Sequence, residues 1–414
     1  MIKVAWLCSF SNNFVRQTVK QRRVFSWLMN KTKPMLFNSD FAQWNTNAIS
    51  EISAYEDISL HVICPVPFLQ HEFQDELIGN IHYHFFRDER LSLHYRLSTK
   101  FLKPKRREYK INRKRISSIL SKIDVDVVHV IGAENTFYSK AVYDIPKSLP
   151  VIIQLQTLIN DPKFRDGYIF PSTTYSQICE EEASILKRAD YIGTNIQEYR
   201  KIIKSKIKED AKFVDTLLAV GPRLSNAVFS KKYDCVYFSS NLDKAGDLAI
   251  EAFVRAKRKL PNINMVMIGN VTPSFKSTLQ EILKSNNTLD SVEFMGRLDS
   301  YDDVLSVVQT SRCALLPLKV DFIASTIREA MGLSIPTLST ITDGTPVLNE
   351  KRRSLLLSSI GDHNSLADNL ISLLTDTDLY DMIATNGYIT IKEKYSNSAI
   401  IAKWVEVYKS ILLN

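Results

Sequence analysis

Two carboxylates eight residues apart, Asp321 and Glu329, flank the start of a predicted helix. The chain around them is predicted to form a strand, a loop and a helix, with Ser325 or Thr326 as the N-cap. Free backbone N–H groups at such a helix start can bind a diphosphate. Glu329, one turn further, could accept hydrogen bonds from two ribose hydroxyls. The alternative is structural, because acidic residues near helix N-termini also stabilise the dipole.

The elements that must position these residues alternate short β-branched runs with longer helical periods. This pattern is typical of parallel sheets with crossover helices. Six short strands in each half predict two doubly wound, Rossmann-like α/β domains. The predicted strands are Ile2–Cys8, Ser59–Cys64, Ile81–Phe86, Val125–Ile131, Val151–Gln156, Tyr191–Thr194, Cys235–Ser239, Asn264–Ile268, Val292–Met295, Cys313–Pro317, Thr337–Thr340 and Ser354–Leu357. The predicted helices include Arg113–Lys122, Tyr175–Arg188, Gly246–Lys259, Tyr301–Ser311 and Ser325–Leu333.

A join between the two domains is predicted near Val220–Tyr233, where Gly221-Pro222 is expected to break a helix. The predicted domains are residues 1–222 and 223–395, followed by a C-terminal helix at 396–414. In that helix Trp404 and Tyr408 are among the apolar positions.

The composition of the 414 residues, 45% hydrophobic and 24% charged, is typical of a globular protein. No apolar run approaches the roughly 18 residues of a membrane span, and the first residues are predicted to form a buried strand, not a signal peptide. Five scattered cysteines without a CxxC spacing indicate neither a disulfide framework nor a zinc site. A cytoplasmic protein without a bound metal is therefore expected.

The net charge of +8 comes from the first half of the chain. Residues 1–220 hold 32 Lys and Arg against 24 Asp and Glu, whereas residues 221–414 hold 21 of each. The excess is concentrated at 103–115. Such a segment can bind anionic lipid headgroups or nucleic-acid phosphates, or can simply form a solvated helix face. Nucleic acid is the least favoured partner, because no aromatic platform or known binding motif accompanies the charge.

The motif Asp321-x7-Glu329-Ala-Met-x4-Pro resembles the Glu-x7-Glu motif of retaining GT-B glycosyltransferases of family GT4. Further segments are similar to family segments in the same order. They are 126–132, 189–192, 244–253, 266–270 and 292–298. The resemblance covers nearly the whole chain and is densest at 235–350. It implies a GT-B fold, with two Rossmann-like domains facing across a cleft and a C-terminal helix returning toward the first domain.

The resemblance implies a role for each matching donor-side residue. Lys244 would counter the donor diphosphate, Glu329 would hold the ribose and Asp321 would contact hydroxyls of the transferred sugar. The remaining donor contacts would be Ser325 and Thr326 at the phosphates and Gly296 and Arg297 at the base.

Several positions depart from the family pattern. The family's arginine, five residues before the lysine, is replaced by Ser239, so the diphosphate loses a cation unless Arg297, Arg328 or Arg223 substitutes. The first acid is an aspartate, one methylene shorter than glutamate, and Ala324 replaces a glycine.

The acceptor side also departs from the family. The glycine-rich acceptor loop is replaced by Ser9–Asn13, which makes Asn12 an acceptor-side candidate. His129 could contact a substrate or could be a buried, hydrogen-bonded histidine. Glu134 is the nearest ionisable group after that strand and is the third acceptor-side candidate.

The predicted function is retaining, metal-independent transfer of a sugar from a UDP- or GDP-sugar to a glycan or lipid-linked saccharide. No cofactor is expected, since the nucleotide-sugar is a substrate. A polyprenyl-diphosphate-linked acceptor would suit bacterial surface-polysaccharide synthesis, with the protein peripheral at the inner face of the plasma membrane. One alternative is a nucleotide-sugar epimerase of the same fold. The other is a non-catalytic, membrane-associated binding protein.

Overall fold

The computed structural model describes residues 1–21, 41–91, 108–163, 172–221, 224–319 and 324–413, with only the backbone of 91 and 172–174. The chain divides into two compact units. The first contains Met1–Val220 and Ile400–Asn414, and the second contains Gly221–Ala399. Two candidates, Asp321 and Arg223, lie outside the described residues, as do positions 103–107 of the basic segment.

The first unit is built on an eight-stranded sheet. Its strands are β1 (Ile2–Leu7), β2 (Ile58–Val66), β3 (Phe73–Ile78), β4 (Ile81–Arg87), β5 (Val127–Ile131), β6 (Val151–Gln154), β7 (Tyr191–Gly193) and β8 (Phe213–Val214). Their order is β3-β4-β2-β1-β5-β6-β7-β8. Strand β3 is antiparallel to β4, and every other neighbouring pair is parallel. The order reverses between β1 and β5, and such a switch point leaves a ligand crevice at the strands' carboxyl ends.

Two of these strands, β3 and β8, were not among the six predicted for the first half. A two-residue turn, Gly79-Asn80, joins β3 to β4, and Gly79 has a φ of +61°. Glycine at the first turn position is a hairpin signal, so the sequence does contain the information for β3. Strand β8 pairs through only two residues, which is too short for a periodic pattern.

Besides the last helix of the chain, the described part of the first unit contains six α-helices. They are α1 (Asn13–Thr18), α2 (Gln43–Ile52), α3 (Lys110–Ile123), α4 (Thr136–Ser139), α5 (Ser172–Arg188) and α6 (Gln197–Lys206). Side chains of β1 alternate between two buried clusters. Val4 and Trp6 belong to one cluster, and Ala5 and Leu7 belong to the other. Both faces of the sheet are therefore covered, as its doubly wound topology requires.

The second unit is a six-stranded, fully parallel sheet with helices between its strands. The strands are β9 (Tyr233–Asn241), β10 (Met265–Asn270), β11 (Val292–Gly296), β12 (Ser311–Leu315), β13 (Thr337–Thr340) and β14 (Leu356–Ser358). The helices are α7 (Gly246–Lys259), α8 (Pro273–Ser285), α9 (Tyr301–Gln309), α10 (Ser325–Gly332), α11 (His363–Thr375) and α12 (Thr377–Thr390). The strand order β11-β10-β9-β12-β13-β14 reverses between β9 and β12.

The last helix, α13 (Asn397–Leu412), crosses back into the first unit. Trp404 and Tyr408 are fully buried in the cluster that contains Trp6 of β1. The indole N–H of Trp404 donates to the carbonyl of Leu217 across 2.9 Å. The predicted return of the C-terminal helix to the first domain is confirmed.

The join between the units differs from the prediction in one respect. Helix α6 ends at Lys206, and residues 215–221 form neither helix nor strand, so no helix leads into Gly221. The amide of Gly221 instead donates to Asn397 Oδ1 across 2.7 Å. The two points at which the chain enters and leaves the second unit are thus tied to each other. In the ranges given above, no helix is both long and apolar enough to cross a membrane.

Candidate active site

The candidate donor residues lie at the carboxyl edge of the second sheet, around its switch point. After β9 the chain makes a short 3-10 turn, Leu242–Lys244, and enters α7 at Gly246. After β12 it reaches Lys319, and α10 follows at Ser325. Because β9 and β12 are parallel neighbours in the sheet, the segments that follow them begin side by side at its carboxyl edge.

The start of α10 corrects the predicted cap. The N-cap is Ala324, which has no side-chain hydroxyl, and Ser325 is already the first helical residue. Ser325 is exposed and Thr326 is half-buried. The helix therefore begins without a side-chain hydrogen bond from its capping residue. A helix start without a side-chain cap leaves first-turn amides available to an anion such as a diphosphate.

Glu329 lies one turn into α10 and is 8% exposed. Burial raises the pKa of its carboxyl, whereas a hydrogen bond with Tyr301 and the charge of Arg328 act in the opposite direction. Tyr301 is the first residue of α9 and is 52% exposed. The sequence analysis did not select it. The Glu329 carboxyl is therefore held in place by a neighbouring helix.

Lys244 is exposed at the end of the 3-10 turn after β9. Ser239, near the end of β9, is half-buried, and its hydroxyl interacts with Tyr237. A Cβ on Gly269 would lie 2.0 Å from the Ser239 carbonyl oxygen. The backbones of β10 and β9 are therefore in close contact at Ser239, the position at which the family has its arginine. Gly269, with a φ of +143°, permits this contact because it has no Cβ.

A cation that the sequence analysis missed lies at the same switch point. Lys319 follows β12, and its ammonium is 2.7 Å from Asp247 Oδ2 in the first turn of α7. The two side chains are 40% and 28% exposed. Their separation of 72 positions in the sequence explains why no local sequence pattern indicates the pair.

Gly296 and Arg297 lie at the end of β11, two strands from β9. Gly296 has a φ of +69°, with open space where a Cβ would be, and Arg297 is exposed. Strand spacing places this edge roughly 10 Å from β9. Their predicted contact with the base remains a prediction, as does the sugar contact of Asp321, which lies outside the described residues.

On the first unit, Glu134 follows β5, at the switch point beside β1. Three polar groups converge above Gly132, which has a φ of +95°. A Cβ built there would meet Asn135 Nδ2 and Glu134 Oε1 at 2.5 Å and Gln156 Nε2 at 2.9 Å. Asn135 Nδ2 donates to Glu134 Oε1, while Oε2 has no hydrogen-bond partner among the described residues. Burial raises the pKa of Glu134 to about 8.

His129 lies in the core of the first unit, so its acceptor-side assignment is corrected. It is 1% exposed, and its Nδ1 is 2.6 Å from the Tyr408 hydroxyl. Its ring packs against Trp404 and Trp6. The structure supports the alternative of a buried, hydrogen-bonded histidine.

Asn12 is occupied by a structural role in the conformation described. Its Oδ1 accepts from the amide of Val15 as the N-cap of α1, and its Nδ2 donates to Thr46. It lies after β1 on the switch-point edge, so its acceptor-side assignment stays a prediction.

The described part of the basic segment is partly neutralised. Arg113 pairs with Asp144, and Arg115 pairs with Glu72 at 2.9 Å. Lys110 and Lys114 are exposed on the same helix, α3. Of the four basic side chains described between 110 and 115, the two arginines thus form ion pairs within the first unit.

Comparisons with known proteins agree with this architecture. Residues 226–390 match the family model described as glycosyl transferases group 1. An N-acetyl-alpha-D-glucosaminyl L-malate synthase from Bacillus anthracis is 23% identical over 163 residues, which are 39% of this chain and 41% of that protein. The chain thus matches less than half the length of this curated relative.

Solved structures are similar over the whole chain. A sucrose-phosphate synthase from Thermosynechococcus elongatus has a TM-score of 0.67 at 13% identity, with both chains fully covered. The Anabaena protein HepE, in complex with UDP and glucose, has a TM-score of 0.61 at 14% identity, covering 99% of this chain and 100% of its own. At this identity the similarity establishes the fold. The fold is therefore of the GT-B type, and residues 226–390 match the group 1 glycosyltransferase family.

The matched residues, 226–390, contain the switch point between β9 and β12, together with Lys244, Lys319 and Glu329.

Proposed function

We propose that the protein transfers a sugar from a nucleotide-diphospho-sugar, with retention of anomeric configuration and without a metal, to a glycan or lipid-linked saccharide. The observation that carries the proposal is the position of Glu329. A buried carboxyl, hydrogen-bonded by Tyr301, lies one turn above an uncapped helix start, at the switch point of the group 1 domain. Family membership of this domain supports a nucleotide-sugar donor.

The chemical task is to stabilise the nucleoside diphosphate that leaves as the glycosyl bond breaks. Negative charge grows on that group in the transition state, and fixed positive charges and dipoles that meet it lower the barrier. Lys244 and the start of α10 supply such charge from opposite sides of the switch point. Glu329 would accept hydrogen bonds from the ribose and fix the donor's orientation.

UDP-sugars are the first donors to test. HepE was solved with UDP and glucose, and the Bacillus anthracis relative is named for an N-acetyl-glucosaminyl product. Both names support UDP-glucose and UDP-N-acetylglucosamine as probes. GDP-sugars complete the panel.

The acceptor is proposed to bind at the carboxyl edge of the first sheet, near Glu134. The polar groups above Gly132 could meet acceptor hydroxyls there. Surface-polysaccharide synthesis on a polyprenyl-linked acceptor at the inner face of the plasma membrane is proposed from the basic segment. Lys110 and Lys114 are its exposed cations within the described residues.

The central experiment measures donor binding and transfer. Calorimetry with UDP and GDP is run on the wild type, Lys244→Ala and Glu329→Ala, with Glu350→Ala as an exposed control in the same unit. Both site variants should weaken binding at least tenfold. Unchanged binding in both would rule out the site.

Three further assays test the reaction itself. A product of inverted configuration would refute retention, and loss of activity on addition of EDTA would refute metal independence. Isomerisation of the donor in the absence of acceptor would indicate an epimerase.

The membrane proposal has a separate test. The protein should sediment with vesicles containing 30% phosphatidylserine and stay in solution with phosphatidylcholine alone. Because the attraction is between charges, 0.5 M salt should abolish it. The double variant Lys110→Gln/Lys114→Gln should bind less, and equal sedimentation with both lipids would refute the proposal.

A further inference from the structure

We infer that Lys319 is the second cation of the donor-diphosphate site, replacing the arginine that the family places at Ser239, and that Asp247 positions it. The inference rests on the proposed function. It adds a binding residue that neither the motif nor the family match selects.

The first support is the place of Lys319 in the sheet. Strands β9 and β12 pair in register, with Cys313 beside Cys235 and Ala314 beside Val236. Continuing this register brings the residues after β12 level with the end of β9, where Ser239 replaces the arginine. Lys319, which follows β12, therefore lies at the same carboxyl edge of the sheet as Ser239, near the end of β9, and Lys244, which follows β9.

The second support is the contact with α7. Asp247 is the second residue of that helix, and its Oδ2 lies 2.7 Å from the Lys319 ammonium. Ala245, the N-cap of α7, makes no side-chain cap bond. The ammonium is therefore fixed beside the start of a helix that directly follows Lys244. Lysine and helix amides together form an anion-binding arrangement.

The third support is the charge balance around Asp247. A carboxylate at this helix start would repel an incoming diphosphate, because like charges a few ångströms apart oppose each other. Pairing with Lys319 neutralises that carboxylate. Since the lysine is 40% exposed, its remaining N–H donors are accessible to a phosphate oxygen while the pair stays intact.

The other arginines considered for this role are less well placed. Arg297 lies two strands away, at the end of β11. Arg328 is 8% exposed on the same helix as Glu329. Of the described cations, Lys244 and Lys319 are the ones that directly flank the β9–β12 switch point.

The test compares diphosphate binding in matched variants. UDP and GDP are titrated calorimetrically into the wild type, Lys319→Gln, Lys319→Arg, Asp247→Asn and Lys259→Gln. Lys259→Gln is the control, because Lys259 forms a similar exposed ion pair with Asp368 at 3.1 Å, at the far end of α7. Thermal unfolding of each variant verifies that it is folded.

Lys319→Gln should weaken binding of the nucleoside diphosphate about tenfold to hundredfold, the worth of one charge-assisted hydrogen bond. Lys319→Arg should recover most of this loss, and Lys259→Gln should bind like the wild type. Asp247→Asn keeps the cation and should lose less than Lys319→Gln. A binding constant for Lys319→Gln within twofold of the wild type would overturn the inference.

Equal losses in Lys319→Gln and Asp247→Asn would also overturn it, because the pair would then serve only the structure. If the wild type binds neither UDP nor GDP, the proposed function fails and takes this inference with it. If the wild type binds and only the Lys319 result fails, the proposed function stands without it.

Discussion

The indole N–H of Trp6 donates a 2.9 Å hydrogen bond to the hydroxyl of Tyr408, which lies 402 residues further along the chain. The same hydroxyl is 2.6 Å from Nδ1 of His129. Trp404 packs edge-on against Trp6, with 5.1 Å between ring centroids. One hydroxyl on α13 therefore connects strands β1 and β5 within the core of the first unit.

Removing that hydroxyl should destabilise the first unit. Tyr408→Phe leaves a buried indole N–H and a buried imidazole without their partner, so the free energy of unfolding should fall by about 1–3 kcal/mol. Urea unfolding followed by tryptophan fluorescence measures this. The tryptophans among the described residues, at 6, 44 and 404, all belong to the first unit. Tyr55→Phe, at the edge of the same cluster, is the control. An unchanged urea midpoint for Tyr408→Phe would contradict a stabilising role for the Tyr408 hydroxyl.

The buried imidazole should make the first unit sensitive to acid. Burial lowers the pKa of His129 to about 3, against about 6.5 in the unfolded chain. The stability that the neutral ring contributes is complete above pH 6.5 and is lost as pH falls toward 3, by at most about 1.4 kcal/mol per pH unit. Between pH 7 and 5, His129→Gln should therefore lose less stability than the wild type. Exposed His71→Gln is the control, and parallel pH curves for wild type and His129→Gln would refute the prediction.

Glu134 should give the opposite pH dependence. Its pKa is raised to about 8, so the folded state holds a proton that the unfolded chain releases near pH 4.5. The stability from the protonated carboxyl is present below pH 4.5 and is lost as pH rises to about 8. The melting temperature should therefore decrease more between pH 5 and pH 8.5 in the wild type than in Glu134→Gln. Glu209→Gln, an exposed change in the same unit, should follow the wild type. If Glu134→Gln follows it as well, the carboxyl is not protonated at neutral pH.

Gly132→Ala should impair acceptor use and leave donor binding intact. The added methyl would displace the polar groups at 2.5–2.9 Å, so we expect the KM for acceptor to rise at least tenfold with an unchanged Kd for UDP. Gly79→Ala is a matched control, because Gly79 also has positive φ but no atom lies within 4 Å of the position that its added methyl would take. Equal acceptor KM values in the two variants would argue against an acceptor site at Gly132.

Tyr301→Phe should weaken donor binding several-fold. The hydrogen bond from Tyr301 lowers the pKa of Glu329, so its loss should raise that pKa further. The carboxyl would also lose the contact that fixes its orientation. The affinity for UDP should then decline more steeply as pH falls from 8 to 6. Tyr388→Phe, half-buried in α12, should leave that affinity unchanged. Wild-type affinity of Tyr301→Phe across this range would disprove the coupling.

Local patterns were sufficient to predict the six strands of the second unit and three of its described helices, α7, α9 and α10. Helix α7 was predicted with the bounds observed, Gly246–Lys259, because a glycine at its start and a strong apolar period mark it. The N-cap of α10 was misplaced by one or two residues, because hydroxyl side chains are common caps and Ser325 and Thr326 directly follow Ala324.

The site residues that escaped prediction depend on distant partners. Lys319 is informative only beside Asp247, and Tyr301 only beside Glu329. His129 could not be assigned to the core before Tyr408, 279 residues away, was placed against it. A motif identifies which strand end carries chemistry, whereas ion pairs and burial emerge only from the packing of elements far apart in sequence.

The return of α13 to the first unit has a consequence for biosynthesis. Residues 221–399 leave the ribosome before residues 400–414, so the second unit can finish folding while the first still lacks Trp404 and Tyr408. Nascent chains usually fold domain by domain from the N-terminus, whereas here the first unit is the last to have all of its residues. Until the last helix is synthesised, Trp6 and its apolar neighbours on β1 lack their cover, which makes this interval the step at which chaperones would be needed most.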